Sequence, residues 1–268
     1  MTKSHRGMSS DSGTWSTDEI MTVAAARALS GVRTCFVGIG LPSVAANLAR
    51  LLHNPLLVLI YESGTIGAKP EVLPLSIGDD LLAESADLVV SVPEIFNYWL
   101  QGGRCDVGFL GAAQVDRYGN INTTVVPRPG NRPDVRLPGA GGAPEIAAHA
   151  GRTLITVRHR AEVFVDPLPF ITSVGHGDGA GFRERAGLAG AGPTQVITDL
   201  GVLEPDPVTR ELTLTSIHPG ADRRLVAQAT GWDLRVADDL VSTPAPTAEE
   251  LAVLRDLHAR TAAARGES

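Results

Sequence analysis

The stretch Arg33-Thr34-Cys35-Phe36-Val37-Gly38-Ile39-Gly40-Leu41-Pro42-Ser43 decides the fold class. Its first five residues read as a short strand, Gly38 to Ser43 as a tight turn, and Val44 to Leu52 as a helix that begins directly behind it, with Pro42 suited to a first helical turn. Strand, glycine turn and helix make the first half of a βαβ unit. The second half follows at Leu56-Leu57-Val58-Leu59-Ile60-Tyr61, an uninterrupted apolar run that fits a strand buried on both faces, as in a parallel sheet. That run stops at Glu62-Ser63-Gly64.

The same alternation extends in both directions. Upstream, Ser16-Thr17-Asp18-Glu19 has the form of a capping box and opens a helix carrying Ile20, Met21, Ala24, Ala25, Ala28 and Leu29, which ends at Gly31. Downstream, strands are expected at Leu88 to Val92, Val107 to Leu110, Thr153 to Val157, Val163 to Val165 and Val196 to Thr198. Helical or glycine-rich segments such as Glu94 to Gln101 and Pro144 to Ala150 separate them. The pattern predicts an α/β fold with an open, mostly parallel sheet and helices on both faces. Beyond Asp166 it loosens into a glycine cluster, Gly175 to Gly181. Two antiparallel strands are then expected around Val196 to Leu203 and Glu211 to Ile217, joined by the turn sequence Glu204-Pro205-Asp206-Pro207. Thr247 to Arg265 closes the chain as a helix. Nothing forces a domain boundary, so residues 16–268 are expected to be one domain and the small, polar residues 1–15 a disordered leader.

Composition excludes several classes. The 268 residues are 43% hydrophobic and only 20% charged, enough for a sizeable core, while aromatics at 4% make that core mainly aliphatic. A net charge of -7 is the wrong sign for a protein that neutralises a nucleic-acid backbone, so no nucleic-acid partner is expected. No window approaches the ~20 apolar residues needed to cross a bilayer, and the start lacks the apolar stretch of a signal peptide, so a cytoplasmic protein without a membrane partner is expected. Cys35 and Cys105 each sit in an apolar run and read as buried thiols. The seven histidines show no ligand spacing, so no metal is expected.

In a parallel α/β sheet ligands bind at the carboxyl ends of the strands. Three glycine-bearing strand ends therefore become candidates: Gly38-Ile39-Gly40-Leu41-Pro42, Glu62-Ser63-Gly64 and Gly139-Ala140-Gly141-Gly142-Ala143. Around Gly38 and Gly40 the alternatives are a tight strand-to-helix turn or backbone amides that receive a phosphate or a pantetheine carbonyl. The third loop opens a helix and can present backbone donors to an oxyanion. Glu62 is the unusual residue, a carboxylate ending a very apolar strand. It is either a cap or a functional carboxylate acting as base, ligand or nucleophile.

These segments, with Gly111-Ala112-Ala113-Gln114-Val115-Asp116-Arg117-Tyr118-Gly119-Asn120-Ile121-Asn122, Thr172-Ser173-Val174-Gly175 and Thr198-Asp199-Leu200-Gly201-Val202-Leu203, occur in an order that resembles the β subunit of a family I CoA-transferase of the glutaconate CoA-transferase type. The resemblance runs from about Ser16 to about Leu257. It implies the fold shared by CoA-transferases and sugar-phosphate isomerases, an α subunit that completes the enzyme, and CoA transfer from an acyl-CoA to a small carboxylic acid. It further implies a ping-pong route through a glutamyl-CoA thioester on Glu62, with no cofactor beyond coenzyme A as substrate. Gly141 and Gly142 are implied as oxyanion donors, and Asn122, then Asn120, as coenzyme A contacts, although Asn120 also reads as a turn residue after Gly119. The alternatives are a CoA-thioester hydrolase or decarboxylating relative in steroid or aromatic-acid breakdown, and more remotely a sugar-phosphate-binding sensor.

Overall fold

The structure, a computed structural model, describes residues 15–128, 130 and 134–266. Residues 1–14 of the expected leader lie outside the described residues. Helix α1 (Thr17–Arg27) starts at the expected capping box, with Ser16 Oγ accepting from the Glu19 amide and the Glu19 carboxylate accepting from the Ser16 amide. Strand β1 (Thr34–Val37) turns through Gly38 to Gly40 into α2 (Leu41–Leu48), which continues as a wider π-helical turn over Ala49–His53. Next come β2 (Val58–Ile60), β3 (Thr65–Ile66), α3 (Asp80–Glu84), β4 (Leu88–Val89), and α4 (Val92–Glu94) with its π-helical extension Ile95–Leu100.

Strand β5 (Val107–Gly111) leads into two small hairpins, β6 (Gln114–Val115) with β7 (Ile121–Asn122) and β8 (Val125–Val126) with β9 (Val135–Arg136). Then follow α5 (Ala143–His149), β10 (Arg152–Thr156), α6 (Phe182–Arg185), β11 (Pro193–Ile197), β12 (Gly201–Pro205), β13 (Leu212–Ile217), α7 (Arg223–Gln228), β14 (Arg235–Ser242) and α8 (Ala248–Ala264).

One ten-stranded sheet runs β14-β13-β12-β11-β10-β5-β1-β2-β3-β4. Its five central strands, β11 to β2 in that order, are parallel. Alternate residues along them enter two separate cores, because successive strand side chains point to opposite faces. Cys35, Val37, Leu59 and Phe109 pack on the face of α1, α2 and α8, whereas Phe36, Ile60, Leu110 and Ile155 pack with Ile95 and Ile146 of the opposite layer. The expected open, mostly parallel sheet covered by helices on both faces is what forms.

Three local expectations change. Val163 to Val165 adds no strand to the main sheet, and only Phe164 bridges to Val115. Leu56 is exposed, so the buried strand begins two residues later at Val58. Antiparallel pairing also occurs at the other edge, because Gly64 reverses the chain and lays β3 back against β2, and β4 on β3. Strand β14 carries no apolar pattern by which its sequence could reveal it. Its Asp238 and Asp239 are exposed, and it joins β13 through its backbone.

The glycine cluster also gains a physical account. Gly177, Gly179 and Gly181 have φ of +60°, +117° and +74°, conformations that favour glycine. A Cβ on Gly175 would lie 2.3 Å from the Gly119 carbonyl oxygen, so this segment packs backbone to backbone on the 118–120 loop. Arg183, buried just beyond it, donates to the carbonyls of Gly175, Gly190, Ala147 and Ala148 and so ties the cluster to the last turn of α5.

Candidate active site

The turn after β2 places Glu62. The Tyr61 amide donates across it to the Thr65 carbonyl at 3.0 Å, and the Gly64 amide closes back on the Tyr61 carbonyl. Gly64 has φ +98°, and a Cβ there would lie 2.0 Å from the Val90 carbonyl oxygen, so no other residue fits without a backbone shift. Glu62 is thus held at the apex of a hairpin on a rigid, buried sheet. It is partly buried, and beside it the hydroxyls of Ser63 and Thr65 are buried with no hydrogen-bond partner among the described residues.

Two other segments converge there. The Gly142 amide, at the N-cap of α5, donates to Glu62 Oε1 at 2.6 Å. Gly141 adopts φ +50°, and a Cβ on it would stand 3.4 Å from the same oxygen. A Cβ on Gly142 would lie 2.5 Å from Phe96 Cζ and 2.8 Å from Glu62 Oε1, so glycine here lets the backbone meet both the carboxylate and an aromatic ring. Phe96, from the π-helical segment, packs on Phe36 of β1 with ring centroids 5.7 Å apart. The sequence carries no sign that this ring closes the site, since nothing in a helical pattern tells which distant loop a side chain meets.

Among the described residues, the hydrogen bonds of Asn122 and Asn120 go to groups other than the carboxylate. Asn122 is fully buried and donates to Gln114 Oε1 and the Val125 carbonyl, while its own oxygen accepts from the amides of Thr124 and Val125. It shapes the turn in which Thr123 exchanges hydrogen bonds with Gly139, two residues before Gly141. Asn120 donates to Asp116 Oδ2 and the Gly177 carbonyl and accepts from the amides of Gly175 and Gly177. Each amide side chain has its two donors and its acceptor engaged inside the chain, so both residues organise loops here.

Gly38 and Gly40 lie one strand over from Glu62, at the end of β1. The Gly38 amide donates to the Phe109 carbonyl of β5 at 2.9 Å, and a Cβ there would come within 3.0 Å of that oxygen. Gly40, with φ +90°, is the N-cap of α2 and supplies no side-chain cap.

The buried histidines have structural roles. His159 stacks on Phe164 at 3.8 Å and meets Thr230, His176 meets the Pro193 carbonyl, and His218 meets Thr243 and the Thr198 carbonyl. Cys35 and Cys105 are buried, and burial pushes the Cys105 thiol up to about 12, far from a reactive thiolate. Among the described residues no helix is long and apolar enough to cross a membrane.

What remains is a fixed carboxylate with a backbone donor on one oxygen, an arrangement suited to nucleophilic attack and to holding the charge of a tetrahedral intermediate. The coenzyme A transferase family model matches residues 18–229. The chain is 62% identical over 253 residues to the β subunit of 3-oxoadipate CoA-transferase from Pseudomonas knackmussii, covering 94% of this chain and 97% of that one. It is 27% identical over 230 residues to the cholesterol ring-cleaving hydrolase IpdB subunit of Rhodococcus jostii, covering 81% of each. It superposes on the crystal structure of glutaconate coenzyme A-transferase from Acidaminococcus fermentans with a TM-score of 0.82 and 31% identity, over 90% of this chain and 94% of that one. The chain belongs to the coenzyme A transferase family, as a CoA-transferase chain of the β-subunit type.

Proposed function

We propose that this chain is the nucleophile-bearing subunit of a heteromeric enzyme that moves coenzyme A between an acyl-CoA and a small dicarboxylic acid of the 3-oxoadipate kind, with a glutamyl-CoA thioester on Glu62 as intermediate. The observation that carries the reading is the 2.6 Å hydrogen bond from the Gly142 amide to Glu62 Oε1. The other oxygen, Oε2, attacks the donor thioester carbonyl; the C–S bond breaks and coenzyme A leaves as thiolate, giving a mixed anhydride. The thiolate then attacks the Glu62 carbonyl carbon, the C–O bond to the donor acyl group breaks, and the donor acid departs as carboxylate. The acceptor carboxylate repeats these steps in reverse, with no net proton or electron transferred.

In both attacks on the glutamyl carbon, charge develops on Oε1, where the Gly142 amide already points. A preplaced donor of this kind contributes on the order of 3 kcal/mol to a barrier. A carboxylate is a weak nucleophile, so positioning has to supply much of the remainder. The identity to the 3-oxoadipate enzyme's chain supports the acid class.

An α subunit completes this enzyme. Edge strand β4 exposes Leu88 and Val89, and Val92 and Tyr98 beyond it are at least half exposed, on the side of the sheet that carries the Glu62 turn. An unpaired apolar edge of this kind is expected to be covered by a partner.

The test is to incubate the two subunits with a panel of short dicarboxyl-CoA donors, trap with borohydride, and map the product by peptide mass spectrometry. Reduction confined to Glu62 supports the reading. Free coenzyme A released without an acceptor acid, together with retained turnover in Glu62→Ala, would make the enzyme a hydrolase instead.

A further inference from the structure

Ile95 and Leu100, both fully buried, stand five residues apart at the two ends of the π-helical segment Ile95–Leu100. At about 100° per residue an α-helix would turn them about 140° away from each other. The π-helical winding, in which the Gln101 amide donates to the Phe96 carbonyl at 2.8 Å, brings both to the core. Phe96, one step round from Ile95, is left at the margin of that core and is half-buried. The wider turn thus delivers an aromatic ring to the edge of the active site.

That ring is fixed from three directions. It packs on Phe36 with centroids 5.7 Å apart and the ring planes tilted by 46°. The start of its helix is closed by a capping box, in which Ser91 Oγ accepts from the Glu94 amide and the Glu94 carboxylate from the Ser91 amide. Its far end is tied to α5, since Gln101 Nε2 donates to Glu145 Oε2 at 3.3 Å. Helix α5 carries Gly142 at its N-cap, so the ring and the amide donor belong to one packed unit.

The ring stands against the carboxylate. An ideal Cβ on Gly142 would lie 2.5 Å from Phe96 Cζ and 2.8 Å from Glu62 Oε1, so those two atoms are no more than about 5.3 Å apart. A water hydrogen-bonded to the oxygen at about 2.8 Å and touching a ring carbon at about 3.5 Å needs about 6.3 Å in line. No water fits in line between them, and the apolar ring edge offers it no acceptor. The Gly142 amide takes a further direction of approach to the same oxygen.

A glutamyl-CoA thioester has to outlast the exchange of donor acid for acceptor acid. Attack by water would end it: water adds to the Glu62 carbonyl carbon, the C–S bond breaks, coenzyme A leaves as the thiol, and Glu62 returns to a carboxylate with one proton released. The outcome is hydrolysis in place of transfer. Closing a site against water is a physical means of preventing such a side reaction.

We infer that Phe96 is the water-excluding wall of the active site, the side chain that preserves the glutamyl thioester for the acceptor carboxylate and so commits the enzyme to transfer. The ring acts by occupying space and forms no bond in the transfer steps. This rests on the CoA-transfer reading above.

The test uses the complete two-subunit enzyme and compares Phe96→Met with Phe96→Gln, unbranched side chains of similar size of which only the second holds water. For each, the release of free coenzyme A from acyl-CoA without acceptor is divided by the rate of transfer with acceptor. Phe96→Met is expected to keep the wild-type ratio within about threefold. Phe96→Gln is expected to raise it roughly tenfold, with the extra release abolished when Glu62→Ala is added. A purely structural role lowers both rates together and leaves the ratio in place, which overturns the inference. A changed preference among acyl chain lengths at constant ratio also overturns it, by assigning the ring to the acyl group. One arm needs no variant to fold. Wild-type glutamyl-CoA, left without acceptor, is expected to persist for at least about a hundred turnover times, and decay within a single turnover overturns the inference. Absence of any glutamyl adduct in the wild type overturns the underlying CoA-transfer reading instead.

Discussion

The amide of Gly142 and the carboxylate of Glu62, eighty positions apart in the chain, meet at 2.6 Å. The contact needs a turn in which Gly64 sits against the Val90 carbonyl, and a glycine at 142, because Phe96 already occupies the space beside it. Helix α5 is in turn held from behind by Arg183, which donates to the Ala147 and Ala148 carbonyls near its end.

Gly142→Ala pushes a methyl to within 2.5 Å of Phe96 and 2.8 Å of Glu62 Oε1, so ring or loop must move. A fall in kcat of about a hundredfold is expected, the size of losing one oxyanion donor, with little change in the KM for either substrate. Gly141→Ala, whose methyl stands 3.4 Å from the carboxylate, meets backbone strain at φ +50° instead of a clash. It is expected to lose about 1 kcal/mol of stability and to retain more activity than Gly142→Ala. Steady-state kinetics and thermal unfolding on the two variants separate these effects.

Asn120 is almost fully buried and its hydrogen bonds join the 116–120 loop to Gly175 and Gly177. Asn120→Ala leaves those groups unpaired and is expected to cost about 3 kcal/mol in urea unfolding. A loop-organising role moves stability. A direct coenzyme A contact would instead move the KM for acyl-CoA while leaving the unfolding curve in place.

Burial pulls the titration of His159, His176 and His218 below the ordinary histidine value, His159 to about 4. The native state therefore binds fewer protons than the unfolded state, and stability rises with pH through this window. Between about pH 6.5 and pH 4 the protein is expected to lose on the order of 3 kcal/mol through His159 alone. His159→Gln, measured by urea unfolding at pH 7 and pH 5, is expected to flatten that slope.

Below that range a carboxylate takes over. Burial raises the Glu250 titration, but the Arg27 guanidinium, at 2.6 and 2.7 Å from its two oxygens, and the hydrogen bonds with Thr247 together more than reverse this, and the net value lies below the ordinary 4.5. Its contribution is complete above pH 4.5 and disappears as pH falls through the depressed native value. Arg27→Met, which leaves the buried carboxylate with only His53 at 3.2 Å and the Thr247 amide beside it among the described residues, is expected to cost about 3 kcal/mol at pH 7 and less at pH 4, where Glu250 can protonate. Unfolding midpoints at the two pH values check the sign.

Local sequence is enough for the parallel centre of the sheet. Runs such as Leu57 to Tyr61 and Val107 to Leu110 are apolar on both faces, and only a strand covered on both sides can bury them. Capping boxes at Ser16 and Thr247 mark two helix starts for equally local reasons. Glu62 stands out in the sequence because a carboxylate closing so apolar a strand is unusual, as a cap or as a functional group, and the ordered glycine segments point to its family.

Long-range packing settles the remainder. Whether Gly142 reaches the carboxylate, whether Asn120 and Asn122 face a ligand or their own loops, and which loop the Phe96 ring meets all depend on contacts between distant segments, which no local periodicity encodes. The glycines show both sides of this division. Their number marks a chain full of turns, but only the packed backbone shows that Gly64 and Gly175 are required by a neighbouring carbonyl and Gly142 by a ring and a carboxylate.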